Sequence, residues 1–240
     1  MPISFRRSVF VRTTLLIPAF LLCLFYLPAS KAIAQDTTPP PTALQKQLSK
    51  IDLAVTAIGE ISTPVSGIEQ RDYNTTHTLL TITPSSTVGE LGTVRYTMKP
   101  YVGFEFNFSN LRYTQDYTFV PPPSQTILTG GAQTGAHEVT FGYVAHLKYH
   151  PFGITPFLGA GGGTIKFHPT PGGGQGLPFQ YRAVYYYQAG LEDNFGSSPF
   201  GMRLGFRQLI YLAPDFLQNY LTITRRTRTS EPTIGFFVRF

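Results

Sequence analysis

Tryptophan is absent from the 240-residue chain, and its only cysteine is Cys23. Charged residues make up 13%, and after residue 35 no apolar run approaches the 18 residues that a spanning helix needs. Each scarcity excludes something. Cys23 lies inside the apolar run Leu15 to Leu27, which follows Arg6, Arg7 and Arg12 and precedes the small-x-small pattern Ala32-Ile33-Ala34. That order reads as a secretory signal peptide over residues 1–34, because the apolar run is short for a membrane anchor of about 20 residues. Leu22 before the cysteine does not suit a lipoprotein site. The mature chain then has no cysteine, hence no disulfide and no thiolate chemistry. The signal also carries Arg6, Arg7, Arg12 and Lys31, which leaves 15 basic against 13 acidic residues and removes the nucleic-acid hint in a pI near 9.4. No nucleic-acid partner is expected.

Glycine (23), proline (20), phenylalanine (20) and tyrosine (14) are abundant. Residues 35–50 begin with the proline-rich Q-D-T-T-P-P-P-T and read as a linker. From Ile51 the pattern changes to alternation with period two. Ile51, Leu53, Val55, Ala57 and Ile61 share one face, with Asp52, Thr56 and Glu60 on the other. The same alternation recurs over Thr87 to Met98, Tyr101 to about Tyr113, His137 to His150, Phe179 to Phe195, Phe200 to Leu212 and Ser230 to Phe240, while the glycine-rich Ile154 to Phe167 leaves its facing open. That is about eight strands. The segments Ser62 to Ser86, Thr114 to Ala136, His168 to Pro178 and Ala213 to Thr229 read as longer loops, and Lys99-Pro100, Pro151-Phe152-Gly153 and Gly196 to Pro199 as short turns. Long and short connections therefore alternate, as in an antiparallel up-and-down membrane barrel with short periplasmic turns and long outer loops.

The charges decide which face meets lipid. With every apolar face outward, the lumen receives Asp52, Glu60, Glu105, Glu138 and Glu192 together with Arg95, Lys148, Arg182, Arg203, Arg207 and Arg239. Five acids against six bases suit a polar, plugged interior in which charges must pair. A soluble barrel would invert the pattern and leave Phe104, Phe106, Phe108, Phe141 and Tyr185 outside in water. Gly103, Gly142, Gly205 and Gly235 project inward in this register and make room for long arginine and tyrosine chains. Tyr101, Tyr149, Phe152, Phe195, Phe200 and Phe240 cluster near the short-turn ends, as interfacial aromatic girdles do.

On these residues the stretch Ile51 to Phe240 resembles the small outer-membrane barrels grouped with outer membrane proteins A, X and W. The resemblance rests on the signal peptide, the alternating strands and the aromatic-terminated last strand. It implies an all-β membrane barrel in the bacterial outer membrane, exported through the periplasm. It implies that Ile234, Phe236, Val238 and Phe240 form the signal read by the barrel assembly machinery. With Phe240 as the last residue, no peptidoglycan-binding domain is expected to follow the barrel.

Other motifs carry less. Gly159-Ala160-Gly161-Gly162-Gly163 lacks the lysine and helix of a phosphate loop. His146 and His150 are four apart on a strand, which separates them by about 13 Å and does not suit a metal. No His-x-Ser pair of the lipid A deacylase type occurs. No cofactor and no metal are expected. Arg225, Arg226 and Arg228, with Arg112 and Lys166 at similar height, are candidates to contact lipopolysaccharide phosphates, since guanidinium forks suit phosphate. The expected function is a non-enzymatic, monomeric barrel with a structural or surface-interaction role through its outer loops. Two alternatives stand beside it, a narrow channel or lateral conduit for small apolar compounds and a lipid A-modifying enzyme.

Overall fold

Residues 42–70, 77–123 and 126–240 are described by a computed structural model of the chain. The expected signal peptide and most of the expected linker lie outside them. The linker's end forms the short helix α1 (Ala43–Leu48), closed at its start by a Thr42–Gln45 capping box. This helix is exposed throughout, and Gln47 accepts a hydrogen bond from the Tyr96 hydroxyl at 3.0 Å.

Among the described residues ten strands follow: β1 (Ile51–Ser62), β2 (Val65–Ile68), β3 (Leu79–Pro84), β4 (Thr87–Lys99), β5 (Val102–Val120), β6 (Leu128–His146), β7 (Thr155–Pro169), β8 (Gln180–Asn194), β9 (Phe200–Leu212) and β10 (Arg226–Arg239). They build eight walls, because β2 prolongs β1 and β3 prolongs β4. Val65 faces Ile82 in the same register that sets Ile51 opposite Tyr96. Both β3 and β4 pair with β5, but Pro84 faces Gln115 while Glu90 faces Asn110. One extra residue therefore sits at Ser85–Ser86, a β-bulge, where the Ser85 amide donates to Thr114 O at 2.8 Å and the Thr87 hydroxyl to Arg112 O at 2.7 Å.

Every wall is antiparallel to its neighbours in the order β1, β4, β5, β6, β7, β8, β9, β10, and β10 pairs back to β1 with Asp52 opposite Arg239. The sheet is thus a closed eight-stranded barrel. Closure satisfies the edges of the first and last strands, which would otherwise be open templates for another chain.

The longer loops expected from sequence are shorter than they read. Residues 114–120 and 128–136 are strand, so β5 and β6 form a hairpin with 19 residues in each arm. The apolar Leu79, Leu80 and Ile82 belong to β3. At the other end β6 stops at His146, so Lys148 and His150 lie in the turn before β7. The facing of β7 is settled by its partners. Phe157, Ile165 and Phe167 point inward and Leu158 outward, so Gly159, Gly161 and Gly163 face the lumen.

Candidate functional site

The lumen has two layers. Toward the short-turn end, inward positions carry charge, and Arg95, Arg203 and Arg207 are buried with Asp52, Glu60, Glu105, Glu138, Glu192 and Glu231. Arg95 from β4 reaches Glu105 on β5 at 3.1 Å and also bonds Glu192 on β8. Arg203 on β9 joins Glu192 at 2.9 Å and Asp52 on β1 at 3.1 Å. Glu105 further accepts from the Tyr186 hydroxyl at 2.8 Å and from Gln188 at 2.6 Å. A second cluster centres on Arg207, which donates to Glu138 at 2.6 Å and to Glu231 at 2.8 Å while its guanidinium lies 4.9 Å from the Tyr186 ring centre. Ser109 and Thr140 donate to the two oxygens of Glu138. Glycines make this possible. A Cβ on Gly142 would stand 2.2 Å from the Tyr186 hydroxyl, and one on Gly161 2.7 Å from the same ring.

Toward the long-loop end the interior is apolar, with Ile58, Leu91, Leu111, Ile165, Phe167, Val184, Leu209 and Tyr211 in one packed cluster. The lumen is therefore not polar throughout, as expected from sequence: charge fills it from the short-turn end to mid-height, where Glu60 stands beyond Ile58 on β1, and apolar side chains dominate past that point beside the buried Gln115, Thr134 and Thr229. The segment between β9 and β10 turns inward to finish the oily layer with Phe216, Leu221 and Ile223. Phe216 (φ 49°) and Leu217 (φ 59°) take the left-handed conformation, at a cost of roughly 1–2 kcal/mol per residue. A polar clasp offsets it. Gln180 accepts from the Asp215 and Phe216 amides at 3.0 and 3.1 Å, and its amide donates to Asp215 at 2.6 Å. Thr222 donates to Asp215 at 2.9 Å, and Arg182 pairs with it at 2.9 Å. Burial alone would raise the Asp215 pKa, but the hydrogen bonds from Gln180 and Thr222 and the Arg182 charge outweigh it and hold the carboxyl below its ordinary value.

The lumen charges expected from sequence thus fall into four places. Asp52, Glu105, Glu192, Arg95 and Arg203 form one cluster, and Glu138 and Arg207 form another beside Glu60, whose Oε1 accepts from Ser62. Arg239 stands at the rim, half exposed, 3.7 Å from Glu192. Arg182 belongs to the clasp at the opposite mouth. Lys148 does not enter the lumen. It is exposed in the turn after β6, with its ammonium 5.3 Å from the Tyr101 ring centre, because the strand ends two residues earlier. Glu231 was missed, although it shares the parity of Arg239 along β10. Among the described residues the buried set is therefore acid-rich, with seven carboxylates, Glu69 included, against three guanidiniums, and not near balance.

The outer wall has the reverse character. Val55, Phe106, Phe141, Tyr143, Tyr185, Phe206 and Phe236 are between 45% and 64% exposed, a continuous oily belt far larger than soluble monomers show. At the short-turn end Tyr149, Phe152, Phe195, Phe200 and Phe240 are exposed as well. Ile234, Phe236 and Phe240 of the last segment all present their side chains to the outside. The five basic residues singled out for phosphate contact do not converge. Arg225, Arg226 and Arg228 lie at the start of β10, whereas Arg112 (β5) and Lys166 (β7) flank β6, which is diametrically opposite β10 in the barrel.

No protein-family model matches the chain, and no curated protein matches it. Solved structures do. Neisserial surface protein A is 12% identical, with a TM-score of 0.51 over 80% of this chain and 97% of its own. The outer membrane protein OprG from Pseudomonas aeruginosa is 15% identical, with a TM-score of 0.51 over 79% of this chain and 95% of its own. The first is a surface protein and the second an outer membrane protein, and the likeness to them is one of fold. The chain is a closed eight-stranded antiparallel β-barrel, the fold that it shares with these two solved structures.

Proposed function

We propose that the chain spans the bacterial outer membrane as a closed, non-conducting, non-enzymatic monomer whose work is structural and at the surface. The observation that carries this reading is the pairing of an oily outer belt with a lumen filled from both ends, by ion pairs at one and by the Phe216 segment at the other. An eight-stranded barrel has an interior just wide enough for side chains to fill. Residues 1–34 act as the export signal, and the outward face of Ile234, Phe236, Val238 and Phe240 is offered to the assembly machinery. Arg225, Arg226 and Arg228 contact lipopolysaccharide phosphates at the outer rim of β10. Reversing charge at Arg225 and Arg226 loosens that association; unchanged co-purification of lipopolysaccharide refutes it. For the barrel as a whole, the folded protein in a planar bilayer gives no conductance steps. Steps that vanish when the lumen is blocked would overturn the closed-barrel reading.

One observation favours a second reading, a lateral conduit for small apolar compounds. The β1–β10 ladder lapses between Ile58–Thr233 and Ile61–Ser230, where Pro232 has no amide hydrogen to give. An open crevice of about 340 Å³ lies on the outer wall there, lined by Ala57, Gly59, Val88, Pro232 and Ile234. Uptake of an apolar fluorophore into liposomes carrying the barrel, lost on Pro232→Val, would support this reading over the first.

A further inference from the structure

The wall formed by β5, β6 and β7 carries a grid of side chains that the cross-strand register fixes. Arg112, Gly135 and His168 are direct partners and share one outward row. Asn110, His137 and Lys166 form the next row toward the short-turn end. Below them lie Phe108, Val139 and Thr164, and then Phe106, Phe141 and Gly162. Basic groups thus stand directly above an oily wall.

The central glycine opens the grid. A Cβ at Gly135 would still be 4.0 Å from His137 Nε2 and 3.6 Å from His168 O, so nothing crowds the position. An open groove of about 570 Å³ occupies this place, with Arg112, His137, His168 and Thr170 along it. Strands are about 4.8 Å apart, so Arg112 and His168 flank the notch across roughly 10 Å. Arg112 is aimed by one hydrogen bond to Gln133 at 3.1 Å, which leaves the rest of its donor fork for a ligand. The Lys166 ammonium is held over two rings, 5.1 Å from the centre of Phe179 and 5.7 Å from that of Tyr181. Glu90, beside Asn110 on β4, is the one carboxylate along the groove among the described residues. The arginine and the lysine outweigh it with both histidines neutral.

We propose that this face is a binding site for an outer-leaflet glycolipid whose headgroup is a phosphorylated disaccharide. The phosphates meet Arg112 and Lys166, the histidines and Thr170 contact the sugar and its phosphates, and the acyl chains run down Phe108, Phe106, Val139 and Phe141. A free phosphate would have no use for the oily wall. A headgroup with a single phosphate would not reach across the separation of the flanking bases, whereas a disaccharide carrying phosphates does. The inference rests on the outer-membrane reading above and deepens its lipid contact at a separate place, on the side of the barrel opposite β10.

The test uses the chain from Gln35, which has no cysteine of its own, carrying an environment-sensitive fluorophore on Thr164→Cys and folded in detergent micelles. It is titrated with bisphosphorylated lipid A, with the same lipid dephosphorylated, and with phosphatidylglycerol. The expected result is a midpoint for lipid A about tenfold or more below either control, and a rise of about tenfold in R112Q, in K166Q and in the double variant. Arg112, Thr164 and Lys166 all lie on the outward face, so the variants keep the heat-modifiable gel mobility of a folded barrel. Equal midpoints for lipid A and its dephosphorylated form, or for lipid A and phosphatidylglycerol, overturn this inference and leave the barrel reading intact. So does an unchanged midpoint in R112Q/K166Q. Recovery of the wild-type chain as a soluble periplasmic protein would overturn the outer-membrane reading itself.

Discussion

Replacing Arg207 with methionine isolates the chemistry of the charged layer. Arg207 is 1% exposed, its two terminal nitrogens hold Glu138 and Glu231 at 2.6 and 2.8 Å, and both carboxylates are also 1% exposed. Methionine approximates the stem but leaves two buried carboxylates without a cation, near a third in Glu60. Breaking a buried pair by removing one partner costs about 3–5 kcal/mol, and loss of a cation shared by two acids belongs at the upper end. Neutralising both acids at once should reverse most of this. Arg207→Met with Glu138→Gln and Glu231→Gln removes all three charges of the cluster, and the amide put in place of Glu138 offers one of Ser109 and Thr140 an oxygen to donate to and the other an N–H to accept from. That triple variant is expected within about 1–2 kcal/mol of wild type, since a buried ion pair replaced whole is often neutral. Reversible urea unfolding from lipid vesicles measures both. Tyrosine emission reports the transition, because the chain has 14 tyrosines and no tryptophan. A loss below about 1 kcal/mol in the single variant, or a triple variant no more stable than the single one, would refute the view that Arg207 is held by its carboxylates.

Three further outcomes follow from particular contacts. Gly161→Ala sets a Cβ 2.3 Å from Phe141 O, which neither strand can yield easily, and is expected to cost about 1–3 kcal/mol in the same urea assay, whereas Gly130→Ala, with nothing within 4 Å, stays within about 0.5 kcal/mol. Asp215 has a folded pKa below its ordinary value, so its clasp contributes stability above about pH 4 and loses it as pH falls through the lower folded value. Protease cleavage after residues 216–224 should then be flat from neutral pH down to about 5 and increase below 4, and Asp215→Asn should abolish that dependence. Deleting Phe240 should lower the amount of barrel in the outer membrane more than it lowers the urea stability of barrel refolded in vitro; normal outer-membrane levels would count against its role in assembly.

Much of the barrel was legible because a two-sided wall forces period two on the sequence. Asp52, Arg95, Glu105, Arg203 and Phe237 all sit on the face that alternation assigns them. The upper half of the β5–β6 hairpin was not legible, since glycines and polar residues there look like loop when no lipid demands an apolar outer face. Tyr113, Gln115 and Tyr117 still alternate inward, but against Arg112, Thr114 and Asp116 rather than against oil. Lys148 kept the right parity past the end of its strand, which shows that parity alone cannot say where a ladder stops. The inward turn of Phe216 has no periodic signature at all, because it depends on Gln180 and Arg182 from a distant strand. The β5–β7 grid was half visible, in Arg112 and Lys166. Its completion by His137 and His168 required the register, which sequence does not state.

The reach of the interior ion pairs along the chain bears on how the cylinder can be made. Asp52 meets a guanidinium 151 residues away, Glu192 one 97 residues away and Glu138 one 69 residues away. Single hairpins can make only part of the set, Arg95 with Glu105, Glu192 with Arg203 and Arg207 with Glu231, so a partly assembled sheet still leaves Asp52 and Glu138 without their guanidiniums. Loop-closure entropy must be met before any of these contacts forms. The completed ring is therefore the first species in which each arginine has all of its carboxylates, and insertion and closure are expected to proceed as a single cooperative event and not strand by strand.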